Sequence, residues 1–112
     1  MSRSPIDFIE HICIECDFVE SHINGISEDD FSNSEVLQRA MARSIEIIGE
    51  ASKNIPAEFK EKYPDIEWKK LSGMRDVIIH QYFGVEYDIV WEVIKEKLPA
   101  LHRKLKAIIK SE

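Results

Sequence analysis

The sequence contains few of the residues that bend or cross-link a chain. Its 112 residues include four glycines, four prolines and two cysteines. So few glycines and prolines leave little material for the many turns of an all-β domain. Two cysteines cannot form a disulfide framework, and we therefore expect reduced thiols and a cytoplasmic location. Because no apolar run exceeds four residues, a membrane-spanning helix is excluded, and the first residues lack the apolar stretch of a secretory signal.

The composition is that of one folded helical domain. Hydrophobic residues make up 44% of the chain and charged residues 32%, a balance that argues against disorder. A chain of 112 residues can bury one hydrophobic core but not two, so we predict a single domain spanning residues 1–112.

Apolar residues recur at helical spacing and predict an all-α, up-and-down bundle. Ser4 can cap a first long helix that runs to Ile23, and Ser34 can cap a second that ends near Asn54. An acidic connector, 27–30, separates the two helices. Shorter C-terminal helices are predicted at 57–62, 67–71 and 74–83. A further helix is predicted with Asp88 as its cap, and Pro99 begins or kinks a last helix.

Charge is distributed unevenly along the chain. The net charge is -6, but residues 1–50 hold three basic and eleven acidic side chains, whereas 51–112 hold twelve basic and ten acidic. The positive charge is densest between His102 and Lys110. This asymmetry fits a local anion-binding surface or complementary faces for self-association, although a charged helix end is most often simply a solvated face.

Cys13 and Cys16 form a CxxC pair with His11 and His22 nearby. A structural zinc site needs four ligands, and the chain has no second pair at matching spacing. Both cysteines also lie on the apolar stripe of the first helix, so packing in the core is favoured over metal or redox chemistry. A glycine-rich phosphate loop and a metal-spaced carboxylate cluster are also missing, so a metal-dependent hydrolase is not expected.

The segment 73–84 stands out because it places Arg75, Asp76, His80 and Tyr82 in an otherwise apolar stretch. On a continuous helix Asp76 and His80 are neighbours, and the carboxylate could orient the imidazole. Arg75 and His80 would lie about 140° apart around the axis. Either Arg75 bends back or a second copy of the chain completes the site. In the alternative, Arg75 and Asp76 form a surface ion pair. His80 and Tyr82 are then hydrogen-bonded residues at the edge of the core.

The pattern Arg75-x4-His80-x-Tyr82 resembles the RX4HXY signature of HEPN-domain toxins of the HepT-like group. Further similar strings occur in the expected order: Ile47-Ile-Gly-Glu-Ala51, Trp68 with Leu71-Ser-Gly-Met-Arg75, and His80-Gln-Tyr-Phe-Gly-Val-Glu86 with Ile89-Val-Trp91. The resemblance covers nearly the whole chain, from about Ile6 to Leu105. A bare RxxxxH is a weak signal, but the extended string is a strong one.

The resemblance implies a HEPN bundle that forms a homodimer, with both motifs in a cleft between the subunits. It implies metal-independent cleavage of RNA with no cofactor, with Arg75 and His80 as the catalytic pair and Asp76 in support. Tyr82 matches the tyrosine to which a minimal nucleotidyltransferase (MNT) antitoxin attaches AMP. Lys69 and Lys70 could add local positive charge for RNA. Two alternatives remain: an inactive HEPN subunit that docks the nucleotidyltransferase, and a plain helical dimerisation module.

Overall fold

The computed structural model describes residues 3–80 and 84–112, with the backbone alone at position 80. The all-α prediction is confirmed, because the described residues are mostly helical. The helices are α1 (Pro5–Ile23), α2 (Glu28–Ser32), α3 (Glu35–Lys53), α4 (Ala57–Glu61), α5 (Trp68–Ser72), α6 (Met74–Ile78), α7 (Tyr87–Glu92) and α8 (Leu98–Ser111). A π-helical turn, Val93–Lys97, joins α7 to α8, and two short strands, β1 (Ile79–His80) and β2 (Gly84–Val85), lie between α6 and α7.

The two long N-terminal helices begin and end where the sequence predicts. Ser4 caps α1 in a reciprocal capping box: its hydroxyl accepts from the Asp7 amide, and the Asp7 carboxylate accepts from the Ser4 amide. Ser34 accepts from the Leu37 amide at the start of α3, and Asn54 caps its end. Each cap provides partners for backbone groups that the helix itself leaves unpaired.

The hydrophobic core lies where α1 packs against α3 and α8. Its fully buried members are Ile9, Ile12, Cys16 and Val19 from α1, Met41, Ile45 and Ile48 from α3, and Leu98 and Leu105 from α8. Cys13 and Cys16 are free thiols on this buried face, which confirms the packing interpretation of the CxxC pair. None of the described helices combines the length and apolar character needed to cross a bilayer.

The acidic connector predicted at 27–30 is wrong, because these residues begin helix α2. The Ser27 hydroxyl accepts from the Asp30 amide, and the Asp30 carboxylate accepts from the Ser27 amide. A capping box of the type that starts α1 therefore also starts this short helix. The one buried residue of α2, Phe31, packs against Trp91.

The C-terminal helices are shorter than α1 and α3, as predicted, but they follow one another without a break from Tyr87 to Ser111. Asp88 is not a cap, because α7 begins at Tyr87 with Glu86 at the N-cap position and no side-chain cap bond. Pro99 lies in the first turn of α8, directly after the π-helical turn. Proline cannot donate to the preceding turn and its ring crowds the carbonyl four residues earlier, so the wider π turn accommodates it.

The helix predicted at 74–83 is wrong at residues 79–80, which form β1 after α6 ends at Ile78, and positions 81–83 lie outside the described residues. At Ile79 the backbone is extended, with φ -112° and ψ 123°, and β1 pairs antiparallel with β2 so that Ile79 faces Val85. The Glu86 amide donates to the Ile78 carbonyl at 2.6 Å. Three successive β-branched residues, Val77 to Ile79, favour an extended backbone, and Gly84 takes a φ of +82° that other residues rarely adopt.

Candidate active site

The segment that carries Arg75 is positioned by a close contact between α3 and α5. The Ser52 hydroxyl on α3 lies 2.8 Å from both the Gly49 carbonyl and the Ser72 hydroxyl on α5. A Cβ at Gly49 would lie in van der Waals contact with the carbonyl oxygens of Leu71 and Ser72, at 3.5 and 3.6 Å, so α3 and α5 approach closely at this point. Two of the strings that carry the family resemblance, 47–51 and 71–75, therefore pack against each other.

Trp68 fixes the other side of α5. Its indole Nε1 donates to the Tyr63 carbonyl at 3.0 Å and to the Lys60 carbonyl at 3.1 Å, and its ring is buried. A buried indole N–H that finds backbone acceptors costs little to bury and holds the two segments together. Helix α6 follows α5 after Gly73 alone, so this anchor also positions Arg75.

Arg75 lies at the start of α6 with its side chain 46% exposed. Its Nε is 3.8 Å from Glu46 Oε2 on α3, and its Nη1 is 3.8 Å from Asp76 Oδ1. Both ion pairs are long and partly solvated, so they hold the guanidinium weakly and leave it able to take up a stronger anion such as a phosphate. Glu46 also contacts Arg43 at 3.6 Å.

Sequence reasoning did not find Glu46 as a neighbour of Arg75. The two residues are far apart in the sequence, and Glu46 occupies a polar position on α3 that resembles any solvated helix face. Its proximity to Arg43, three residues earlier on the same helix, was the only local signal, and that signal points to a surface ion pair rather than to a site.

The helical relationship predicted between Asp76 and His80 is wrong, because α6 ends at Ile78 and position 80 belongs to β1. The two residues therefore do not share a helix face, and the angle of about 140° between Arg75 and His80 no longer applies. Asp76 instead contacts Arg75, its neighbour in the sequence. Tyr82 lies outside the described residues.

Neither cysteine is suited to nucleophilic or redox chemistry at neutral pH. Burial raises the pKa of Cys13 to about 11, with Asp17 adding to the effect. Burial, with Cys13 next in importance, raises the pKa of Cys16 to about 12. Both thiols therefore stay protonated, whereas the reactive species of a cysteine is the thiolate.

A groove of about 930 Å³ lies between α5–α6 and the C-terminal helices, and Met74 and Val77 of α6 line it, whereas Arg75 does not. Its apolar lining includes Met74, Val77, Ile78, Ile89, Val93 and Leu101. Four basic and four acidic side chains also line it: Lys69, Lys70, Lys97, Lys104, Asp65, Glu67, Glu92 and Glu96. Val77 is 58% exposed, although it is a large apolar residue. An apolar groove with exposed aliphatic residues is a common mark of an interaction surface.

These observations agree with the comparison of the chain with known families. The family model described as Ribonuclease HepT-like matches residues 12–108. The chain belongs to the HepT-like ribonuclease family. It is thus an RNase-type HEPN protein, as the Arg75-x4-His80-x-Tyr82 pattern predicts, and the all-helical fold is the one expected for this family.

Three related proteins show how far the HepT-like similarity extends. "Putative RNase TTE0752" of Caldanaerobacter subterraneus is 48% identical over 110 residues, which cover 98% of each chain. "Probable ribonuclease HepT" of Thermococcus cleftensis is 41% identical over 98% of this chain and 100% of its own. "Gamma-glutamylcyclotransferase and putative RNase MJ0434" of Methanocaldococcus jannaschii is 44% identical over 91% of this chain and 46% of its own. No solved structure matches the chain significantly.

Proposed function

We propose that the chain is the toxin of a HEPN/MNT toxin–antitoxin system and a metal-independent endoribonuclease with Arg75 and His80 as its catalytic pair. The observation that carries this proposal is the state of Arg75, a half-exposed and loosely paired guanidinium five residues before the motif histidine. Its position depends on the contact between the 47–51 and 71–75 strings, both of which belong to the family pattern.

The proposed reaction uses the RNA's own 2′-hydroxyl as the nucleophile. The 2′-oxygen attacks the adjacent phosphorus, the bond from phosphorus to the 5′-oxygen breaks, and the products are a 2′,3′-cyclic phosphate and a free 5′-hydroxyl. His80 moves a proton, because an imidazole is the side chain that titrates nearest to neutral pH. Arg75 stabilises the charge that builds up on the phosphoryl oxygens. DNA lacks the 2′-hydroxyl and is therefore not a substrate.

Binding of RNA to this chain depends on local rather than overall charge. The net charge of -6 repels a polyanion, and Glu46 and Asp76 lie beside Arg75. Lys69 is exposed on the preceding helix, whereas the neighbouring Lys70 is paired with Glu67 at 2.7 Å. We therefore propose weak binding that falls steeply as salt is added, because each phosphate contact releases counterions.

The experiment that tests the proposed activity is incubation of the purified chain with RNA in excess EDTA. Cleavage that leaves 2′,3′-cyclic phosphate ends, with matched single-stranded DNA uncut, supports a metal-independent ribonuclease. RNA that stays intact while the chain still binds a nucleotidyltransferase supports the alternative of an inactive docking subunit.

We also propose that two copies of the chain associate through the groove that Met74 and Val77 line on α6. Val77 lies on α6 two residues after Arg75, lines the groove and is exposed in the single chain. Covering this side chain with apolar residues of a second copy removes its surface from water. Arg75, two residues before Val77 on α6, points to a different side of this helix, toward Glu46 on α3.

Val77→Glu is expected to weaken dimerisation at least tenfold, about 1.4 kcal/mol, because a carboxylate in the interface would have to lose its water shell. Light scattering across a concentration series measures the effect. Val36→Glu is the matched control, because Val36 is 81% exposed on α3 and does not line the groove. A wild-type chain that is monomeric throughout, or equal masses for the two variants, contradicts the proposal.

Regulation by the antitoxin is proposed to act through Tyr82. AMP on a side chain two residues from His80 adds bulk and negative charge where an RNA phosphate must bind, so repulsion and occlusion act together. Intact-mass measurement after incubation with the cognate nucleotidyltransferase and ATP is expected to show added AMP together with lost cleavage. A Tyr82→Phe chain should gain no mass, and Tyr63→Phe is the control. AMP on the Tyr82→Phe chain would show that another residue is modified.

A further inference from the structure

A buried histidine joins α8 to two carboxylates on α1. His102 is only 2% exposed, although its place among the basic residues near the end of the sequence suggested a solvated position. Its Nδ1 lies 3.0 Å from Glu20 Oε1, and its Nε2 lies 3.3 Å from Asp17 Oδ1. One ligand atom from each of the three residues lies within 4.8 Å of the other two.

The two ring nitrogens of His102 are in different situations. Nδ1 is within hydrogen-bond distance of Glu20, so a proton on this nitrogen is donated to the carboxylate. Nε2 is fully buried and has no hydrogen-bond partner among the described residues, because the nearby Asp17 oxygen is not aligned with it. If the proton lies on Nδ1, Nε2 carries a lone pair that faces a carboxylate oxygen, and a cation bound by both atoms would relieve the repulsion between them.

We propose that Asp17 and His102 form a binding site for a zinc ion, with Glu20 as the positioning residue that fixes the tautomer of His102. Two ligand atoms on a tetrahedral zinc lie about 3.3–3.4 Å apart, given the usual Zn–N and Zn–O bond lengths. The distance from Nε2 to Asp17 Oδ1 is 3.3 Å. A carboxylate that accepts from the other ring nitrogen of a ligand histidine is the usual companion of such a site.

The ligand chemistry favours zinc over the common hard cations. Calcium and magnesium prefer oxygen ligands alone, whereas zinc binds imidazole nitrogen together with carboxylate oxygen. Asp17 is 65% exposed, so the ion can enter from the solvent side and keep water as its remaining ligands. Neither α1 nor α8 carries a residue of the Arg75–His80 motif, and the site therefore ties two core helices together without a part in RNA cleavage.

Equilibrium titration of the EDTA-treated, desalted chain with zinc chloride tests the site. We expect one zinc per chain and a rise in the melting temperature when zinc is present. Glu20→Gln is expected to weaken zinc binding about 10- to 100-fold, as losses of such companion groups do. Asp17→Asn should weaken it at least as much, and because Asp17 is exposed this variant leaves the core packing intact.

Glu10→Gln is the matched control, since it removes one exposed carboxylate from α1 outside the site and should leave zinc binding unchanged. Cobalt(II) in place of zinc should show no thiolate charge-transfer band, which separates this site from the Cys13–Cys16 pair. Three results would overturn the proposal: no binding at millimolar zinc, Asp17→Asn that binds as tightly as wild type, or a thiolate band.

Discussion

The His80→Ala chain is expected to lose between about 10²- and 10⁴-fold of its rate of RNA cleavage in EDTA, the range that general acid–base catalysis contributes. Without a metal ion to generate a nucleophile, the 2′-hydroxyl must give up its proton to a side chain, and the leaving 5′-oxygen must receive one. An imidazole can do both near neutral pH, and an alanine can do neither. The loss is expected in the turnover number, because the proton is transferred only in the reaction itself.

The control for this prediction is a second histidine that lies outside the proposed site. His11 is exposed on α1, and His11→Ala should cleave RNA like the wild-type chain. Initial rates on a labelled single-stranded RNA, measured for three preparations purified in the same way, give the comparison. If His80→Ala and wild type cleave equally, the activity belongs to a contaminating nuclease or to other residues of the chain.

The parts of the fold that were predicted correctly are those that local interactions determine. Ser4 and Ser34 are strong helix caps, and each is followed by a long amphipathic stripe, so α1 and α3 begin and end at the predicted residues. Helix α2 was missed because its acidic residues resemble a solvated connector, although Ser27 and Asp30 form the same type of cap as Ser4 and Asp7. The capping pattern was therefore a better guide than the charge.

The helix predicted over 74–83 was wrong at residues 79–80 because a tertiary contact competes there with helical periodicity. The apolar spacing of Val77 and Ile78 suits a helix, but Ile79 instead pairs with Val85 in a short ladder. That pairing depends on Gly84 and on the Glu86 amide, which lie several residues further along the chain. A single-residue propensity scale does not include such partners.

The sequence suggests which residues form the candidate site, and the roles of Arg75, His80 and Tyr82 stay predictions. The surroundings of Arg75 could not be predicted. Glu46 and the contact of Ser52 with Ser72 were not found, because these join α3 to residues at least twenty positions further along the chain. Long-range contacts of this kind depend on how the helices pack, and no local pattern in the sequence specifies them.

Because the Arg75 guanidinium is half-exposed and loosely paired, its removal is the second substitution from which we expect a large loss of cleavage. Arg75→Ala is expected to lower cleavage about 10²- to 10³-fold, the cost of removing one donor that stabilises developing charge. Arg75→Lys should recover only part of this activity, because an ammonium group keeps the charge but lacks the planar fork that pairs with two phosphoryl oxygens. Arg39→Ala is the control, since Arg39 is an exposed arginine paired with Glu35 on α3.

Neutralising the carboxylates beside Arg75 should act in the opposite direction. Glu46 and Asp76 each lie 3.8 Å from the guanidinium and compete with the RNA phosphate for it. Surface ion pairs of this kind contribute about 0.2–1 kcal/mol, so Glu46→Gln or Asp76→Asn is expected to lower KM for RNA by no more than about fivefold. The gain should shrink as salt is added, because screening weakens the competing pairs as well. Increased cleavage in Arg75→Ala, or KM values that rise when either carboxylate is neutralised, would show that Arg75 serves as a structural ion-pair partner rather than as the phosphate-binding group.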